Sequence, residues 1–169
     1  MTDATSTPAL IEVRHLTMAY GASVIQRDLN FPINQGDIFV IMGGSGCGKS
    51  TLLKHMLGLL QPHSGDILYD GTSFYQANES ERGELRKGWG ISYQSGGLFS
   101  AMTLGENITL PLQLYTRYTR AEITEIVGYK LALVGLAGYQ DFYPSEISGG
   151  MQKRAALARA IALDPQILF

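Results

Sequence analysis

The sequence has little cysteine, no long apolar run and no large imbalance of charge. Its one cysteine, Cys47, excludes an internal disulfide and argues against a cysteine-based metal cluster. No uninterrupted apolar stretch approaches the roughly 18 residues that a membrane-spanning helix needs, so no such segment is predicted. With 13 basic and 15 acidic residues the net charge is -2, so no global field recruits nucleic acid or an anionic membrane.

Length and composition predict one domain. The 169 residues are 45% hydrophobic, which is enough for one substantial core. Residues 1–9 carry neither the basic start nor the apolar middle of a signal peptide. We expect them to form a short disordered tail on a cytosolic protein, with residues 10–169 as the domain.

A glycine-rich loop at residues 43–50 is the strongest motif in the chain. It has the pattern G-x-x-x-x-G-K-S, follows the apolar run 38–42 and precedes residues 51–57, which have a helical composition. A buried strand, a loop and a helix in that order form the context that a phosphate-binding loop requires. The alternative is a glycine-rich turn that only joins a strand to a helix.

The residue types in this loop suit a nucleotide. Glycines bring backbone N–H groups close to an anion, and the start of the following helix favours phosphate. Lys49 adds a charge suited to the β and γ phosphates, and the Ser50 hydroxyl is placed to ligate Mg²⁺. Cys47 occupies a variable position, where a small spacer is favoured over a redox sensor.

The segments before the loop have β character. Residues 10–16 alternate apolar and polar side chains, and residues 24–33 form a second β-like segment. Tyr20 lies between them beside a glycine. Its ring is suited to stacking on an adenine, although a tyrosine at a strand end is more often a packing or surface residue.

After the loop helix, residues 67–69 predict a short strand, and the charged residues 79–87 predict a solvated helix without chemistry. Residues 90–93 predict another core strand, which ends at Gln94. Ligands bind at the carboxyl ends of strands in open α/β sheets. The Gln94 amide can ligate Mg²⁺ or orient a water, although a lone glutamine there more often caps a loop.

Residues 95–144 predict a mostly helical insert. Thr103 and Glu106 have the spacing of a helix cap, residues 110–112 interrupt that helix at a proline, and residues 120–134 have amphipathic helical spacing. Nothing in the insert indicates catalysis, which suggests a role toward a partner or in regulation.

A second helix start follows at residues 148–150, Ser-Gly-Gly. Ser148 has the residue type of an N-cap, and the two glycines leave N–H groups accessible at the positive end of an alanine-rich helix. Alone this is an ordinary helix start. Downstream of a phosphate loop and a strand-end glutamine, it favours a second anion site.

In that order, the phosphate loop, Gln94 and residues 147–152 resemble the ATP-binding subunits of ATP-binding cassette (ABC) transporters over the whole chain. The resemblance implies an α/β phosphate-loop NTPase core, residues 10–94 and 145–169, with an N-terminal antiparallel β region and a helical subdomain at about 95–144. It departs from the commonest signature at Ile147 and Met151, where leucine and glutamine usually stand.

The resemblance also assigns site residues and cofactors. It implies that Tyr20 stacks on adenine and that Gln94 senses Mg²⁺ and contacts a membrane partner. It also implies that Ser148, Gly149 and Gly150 touch the γ-phosphate held by the opposite subunit. The expected ligands are ATP and Mg²⁺. The residues expected to bind nucleotide are Tyr20, Gly43, Gly44, Ser45, Gly46, Cys47, Gly48, Lys49, Ser50, Thr51, Ser148, Gly149 and Gly150, and those expected to ligate Mg²⁺ are Ser50 and Gln94.

Within the family, residues 93–99, 148–151 and 155–165 look most like the Mla-type ATPases of bacterial phospholipid trafficking. That subgroup implies a homodimer that works with an inner-membrane permease and a periplasmic lipid-binding protein carrying a mammalian-cell-entry (MCE) domain. It further implies a peripheral location on the cytoplasmic face of the inner membrane. Two alternatives stay open, a soluble ABC-type ATPase without a permease and a phosphate-loop kinase.

Residues 166–169 predict the start of a buried strand. In the family this strand ends with an aspartate that supports Mg²⁺ and a glutamate that polarises the attacking water, and a histidine follows later. None of the three is in this sequence. We therefore expect a truncated copy of a longer subunit, which binds nucleotide but hydrolyses it poorly or not at all.

Overall fold

The computed structural model describes residues 9–93 and 96–169, and its first regular element is a long β-hairpin. Strand β1, Ile11–Tyr20, pairs with β2, Ser23–Ile33, in an antiparallel register that runs from Ile11 opposite Ile33 to Tyr20 opposite Ser23. This confirms the two β segments predicted before the loop. The predicted tail lies outside the described residues for positions 1–8, as do Gln94 and Ser95.

The chain divides between Gly83 and Glu84 into two compact units. In the first unit, β3, Ser64–Tyr69, and β4, Thr72–Ser73, complete an antiparallel sheet of order β2-β1-β3-β4. Alternate β1 side chains are buried because one face of the sheet is covered. The buried members of this core include Ile11, Val13, Leu16, Met18, Ile67 and Tyr69.

Helix α1, Lys49–Met56, is the predicted loop helix. The hydroxyl of Tyr69 donates to the carbonyl of Met56, and the hydroxyl of Tyr75 donates to the carbonyl of His55 at 2.6 Å. These two bonds fasten the last turn of α1, whose carbonyls have no intrahelical partners. Helix α2, Glu79–Lys87, has no buried residue, in agreement with the solvated helix predicted there.

The prediction of a buried strand at residues 38–42 is wrong for this structure. No described strand pairs with this segment, and Ile38 and Met42 are 94% and 85% exposed. Within it, Phe39 stacks on Phe31 with ring centroids 5.1 Å apart. A strand needs a neighbouring backbone to bond with, and an apolar run in the sequence does not supply one.

In the second unit, β5, Trp89–Gly90, pairs in parallel with β6, Ile167–Leu168. Both strands are shorter than predicted from residues 90–93 and 166–169. Tyr93 and Leu168 are each 50% exposed, so neither segment is the buried strand expected. The ladder extends by one bond, from the N–H of Ser92 to the carbonyl of Phe169 at 2.8 Å.

Helices α3, Leu104–Tyr115, α4, Arg120–Leu133, and α5, Gly149–Ala160, surround one apolar cluster. A short 3₁₀ turn, Pro144–Glu146, precedes α5. The predicted cap is confirmed, because Thr103 accepts from the N–H of Glu106 at 3.2 Å while Glu106 accepts from the N–H of Thr103 at 2.7 Å. The periodicity predicted over residues 120–134 is also confirmed, since Ile123, Val127 and Leu131 are buried.

The predicted interruption at residues 110–112 is wrong, because α3 continues through Pro111. Leu104, Ile108 and Leu112 lie one turn apart on this helix and are all buried. Burying each such side chain stabilises by about 1.5–3 kcal/mol. Together they outweigh the roughly 3 kcal/mol that an internal proline costs a helix. No helix of the described residues has both the length and the apolar content to cross a bilayer.

Candidate functional site

The glycine-rich loop enters helix α1 through Gly48, whose backbone is left-handed, with φ 97°. A Cβ atom at this position would lie 2.7 Å from Cγ2 of Ile25, so a larger residue would be both strained and crowded. No side chain caps this end of the helix. The N–H groups of Lys49, Ser50 and Thr51 have no intrahelical acceptor and point out of the first turn, where an anion is favoured.

Lys49 folds back over the loop. Its Nζ donates to the carbonyl of Gly43 at 2.8 Å and to the carbonyl of Gly44 at 2.7 Å, and it lies 3.6 Å from the Sγ of Cys47. The ammonium group is therefore held among the backbone atoms of the loop. A phosphate bound at the helix start would offer oxygens to the same three donors of this ammonium.

Strand β2 supports the loop through a residue that the sequence did not single out. The side-chain amide of Gln26 donates to the carbonyl of Cys47 at 3.1 Å. Gln26 and its neighbour Ile25 also approach Gly48. A lone glutamine within a strand gives no local signal of this role, because the bond joins residues 21 positions apart.

Tyr20 ends strand β1 at the tip of the hairpin and is 50% exposed. It lies opposite Ser23, two residues before Ile25, which approaches the loop. Tyr20 and the phosphate loop thus belong to the same unit, and the ring is accessible. Stacking of this ring on an adenine stays a prediction.

The second helix start has the geometry predicted for it. Ser148 is the N-cap of α5, and its Oγ accepts from the N–H of Met151 at 3.3 Å. Ser148, Gly149 and Gly150 are exposed. These residues belong to the second unit, whereas the phosphate loop belongs to the first.

The segment before α5 is tied to the helix by Gln152. Its side-chain amide donates to the carbonyl of Pro144 at 2.8 Å, which holds the short 3₁₀ turn against the first turns of α5. Glu146 in that turn accepts from the N–H of Tyr143 at 2.6 Å. The segment just before Ser148 is therefore fixed by two hydrogen bonds, one from Gln152 of α5 and one from Tyr143 to Glu146.

The predicted Mg²⁺ ligands are only partly within the described chain. The Ser50 side chain is exposed in the first turn of α1, as a ligand shared with a bound nucleotide requires. Gln94 lies outside the described residues. Among the described residues, no three His, Cys, Asp or Glu side chains group closely enough to hold a metal ion. The residues present fit a Mg²⁺ site completed by phosphate oxygens and water, which is the mode that Mg²⁺ prefers.

The chain is similar in sequence to known proteins. Residues 26–169 match the sequence profile of the ABC transporter family. The chain is 47% identical over 159 residues to the "Probable ribonucleotide transport ATP-binding protein mkl" of Mycobacterium tuberculosis (strain ATCC 25618 / H37Rv), which covers 94% of this chain and 44% of that protein. It is 46% identical over 160 residues to the "Intermembrane phospholipid transport system ATP-binding protein MlaF" of Haemophilus influenzae, which covers 95% of this chain and 61% of that protein.

A solved structure shares the fold. The dimeric ATP-binding cassette MJ0796, in a post-hydrolysis state bound to ADP and Pi, superposes with a TM-score of 0.84 at 28% identity. The match covers 94% of this chain and 72% of that one. It confirms the predicted fold class. The chain spans about half the length of the curated relatives it matches, from 44% to 61%.

Proposed function

The chain belongs to the ABC transporter family, and from that membership we propose that it is the ATP-binding subunit of a transporter that moves phospholipid. ATP binding and hydrolysis power the transport through a membrane permease. The single observation that carries the ATP site is the uncapped start of α1, whose first three N–H groups have no intrahelical acceptor, next to a loop that holds the Lys49 ammonium on its carbonyls.

In the proposed site, the N–H groups of residues 49–51 and the Lys49 ammonium bind the β and γ phosphates. The Ser50 hydroxyl and Gln94 hold Mg²⁺, which supplies positive charge to the γ-phosphate oxygens. Tyr20 orients the adenine by stacking. These residues bind and position ATP before any bond is broken.

A second copy of the chain completes the site. The exposed Ser148, Gly149 and Gly150 present a helix start of the same electrostatic character as α1. Two copies facing each other would place this start of one copy on the γ-phosphate held by the other. ATP then favours the paired state, because contacts from both copies exist only there.

The phospholipid assignment is supported by the relatives' names and by the sequence motifs. MlaF of Haemophilus influenzae is named for intermembrane phospholipid transport, and residues 93–99, 148–151 and 155–165 have the pattern of that subgroup. The mkl protein is named for ribonucleotide transport instead. The proposed partners are a second ATPase subunit, an inner-membrane permease and a periplasmic MCE-domain lipid-binding protein. The subunit is then peripheral, on the cytoplasmic face of the inner membrane.

ATP binding tests the first part of the proposal. We expect Lys49→Ala to weaken Mg·ATP binding to the complete protein by roughly 10–100-fold, because it removes a charged donor worth about 1.5–3 kcal/mol. Lys54→Ala, an exposed lysine on the same helix, is the matched control and should bind as the wild type does. Equal affinities for all three proteins would refute the ATP site.

Transport in vesicles tests the second part. The complete protein, reconstituted with its permease partner, should move a fluorescent phospholipid between membranes when ATP is added, and Lys49→Ala should abolish this movement. A labelled ribonucleotide offered to the same vesicles should stay outside. If the ribonucleotide enters and the phospholipid does not move, the substrate assignment is wrong while the ATP site stands.

A further inference from the structure

Loop 96–102 lies between helices α5 and α3 and is bonded to both. On the side of α5, the guanidinium of Arg159 donates from Nη1 to the carbonyl of Gly97 at 2.8 Å. Its central carbon also lies 5.4 Å from the ring centroid of Phe99, within the range of a cation–π contact. One side chain of α5 thus makes two different contacts with the same loop.

The backbone of the loop comes close to α5. A Cβ atom on Gly96 would lie 3.7 Å from the Cβ of Ala156, and one on Gly97 would lie 3.5 Å from Nη2 of Arg159. Gly97 has φ 63°, and a Cβ there would also crowd the ring of Tyr93 at 3.1 Å. A glycine at position 97 is therefore what allows its carbonyl to face the guanidinium.

On the side of α3, the loop is held by the buried side chain of Asn107. Its Oδ1 accepts from the N–H of Phe99 at 2.8 Å, and its Nδ2 lies 3.1 Å from the carbonyl of Phe99 and 2.9 Å from that of Thr103. This amide is fully enclosed, so these bonds are made away from water and fix the loop firmly to α3. Arg159 is the corresponding attachment to α5.

The chemistry of this attachment is specific to arginine. A guanidinium is planar, so it can donate within its plane to a carbonyl while its face covers an aromatic ring. Burial lowers the pKa of Arg159 from its ordinary value, but a guanidinium keeps its charge in proteins. A lysine would retain the charge and lose the combination of a fixed donor and a stacking face.

We propose that Arg159 is a positioning residue that fastens loop 96–102 to α5, so that this loop moves as one body with the Ser148 end of that helix. The inference rests on the proposed function, because that function assigns Mg²⁺ sensing to Gln94, before the loop, and anion binding to the start of α5 at Ser148. Helix α5 is one continuous helix of 12 residues, so a displacement of its start at Ser148 also moves Arg159 near its end.

Hydrogen exchange and kinetics on the complete protein test this inference. In Arg159→Lys we expect the amides of loop 96–102 to exchange about tenfold faster, as the loss of a charged hydrogen bond implies. The kcat for ATP hydrolysis should fall by about tenfold while KM for ATP stays unchanged, because the phosphate loop is not altered. Lys153→Gln, an exposed cation on the same helix, should change neither quantity.

A second variant separates the positioning role from a general loss of folding. Phe99→Leu keeps the hydrogen bond to Gly97 and removes the ring beneath the guanidinium. The change in exchange should be smaller than in Arg159→Lys, and the two changes should not add in the double variant, since they act on one contact. Wild-type exchange and kcat in a folded Arg159→Lys protein, or additive effects in the double variant, would overturn the inference. If the wild type itself neither binds nor hydrolyses ATP, the proposed function fails instead, and the exchange result still decides whether Arg159 holds the loop.

Discussion

The side-chain amide of Gln26 donates to the backbone carbonyl of Cys47 across 3.1 Å, and so joins strand β2 to the phosphate loop. The Nζ of Lys49 likewise donates to the loop carbonyls of Gly43 and Gly44. Each of these bonds pairs a loop carbonyl and so helps to fix the shape of the loop. The loop leads into the uncapped start of α1, whose first N–H groups have no intrahelical acceptor and suit an anion.

The first prediction concerns this support. We expect Gln26→Leu to weaken Mg·ATP binding by about fivefold, because it removes one hydrogen bond of about 1 kcal/mol and leaves the Cys47 carbonyl unpaired. Isothermal titration calorimetry measures the effect. Gln35→Leu makes the same change in the exposed turn after β2 and should leave the affinity unaltered. Wild-type affinity in Gln26→Leu would mean that the loop holds its shape without β2.

The second prediction concerns the ion pair of Lys130 and Asp164. The Nζ and Oδ1 atoms are 2.5 Å apart, the Lys130 side chain is 3% exposed and that of Asp164 is 86% exposed. Asp164 has φ 49°, a conformation that asparagine also tolerates, so Asp164→Asn removes the charge without straining the backbone. The substitution leaves the buried ammonium of Lys130 without a counter-ion, which lowers stability. The loss of stability is limited, because the wild-type carboxylate lies partly in water, which screens its attraction to the ammonium.

We therefore expect Asp164→Asn to lower the free energy of unfolding by about 1 kcal/mol. Lys130→Met should lower it less, because the aspartate left behind is hydrated and the methionine suits a buried position. Urea denaturation of the two variants beside the wild type makes the comparison. A larger loss in Lys130→Met than in Asp164→Asn would contradict this account of the pair.

Local signals in the sequence predicted local structure well. The Gly-Lys-Ser start of α1, the Thr103 and Glu106 cap and the spacing of apolar residues in α4 are each decided within one or two turns of chain. The structure agrees with them. The Ser148 cap of α5 was found by the same reasoning.

Features that depend on distant residues were missed. Residues 38–42 have the composition of a buried strand, but pairing decides whether a strand forms, and no described strand bonds to them. Pro111 lies inside α3 because the packing of its helix outweighs a local penalty. The bond between Arg159 and Gly97 joins positions 62 residues apart, and no local sequence pattern predicts it.

The third prediction concerns the N-terminal cap of α4. The backbone N–H and the hydroxyl of Thr119 both donate to the carboxylate of Glu122. The two bonds, the backbone one having the larger effect, hold the pKa of Glu122 below its ordinary value. The cap is thus complete above the ordinary pKa of a glutamate and is lost as the pH falls through the lowered one. Thr119→Val removes the hydroxyl donor, so the pKa of Glu122 should rise toward its ordinary value.

Carbon-detected NMR titration of the Glu122 carboxyl group measures this shift. Thr119→Ser keeps the hydroxyl and should titrate as the wild type does, which makes it the matched control. If Glu122 titrates identically in Thr119→Val, the hydroxyl is not what stabilises its charge.

The fourth prediction concerns His55, which is buried within α1. Its Nδ1 lies 2.7 Å from the carbonyl of Thr51, and Nε2 has no hydrogen-bond partner in the part of the chain that the structure describes. An unpaired buried polar atom costs about 1–3 kcal/mol, whereas the bond to Thr51 contributes about 1 kcal/mol. The Thr51 carbonyl also keeps its hydrogen bond within the helix when the imidazole is removed.

His55→Leu should therefore raise the free energy of unfolding by about 1 kcal/mol, or Tm by roughly 2–4 °C. Differential scanning calorimetry decides the sign, with the exposed His63→Leu as a control that should shift stability by less than about 0.5 kcal/mol. A fall in Tm for His55→Leu would show that the imidazole makes a contribution that an apolar side chain of similar size cannot replace.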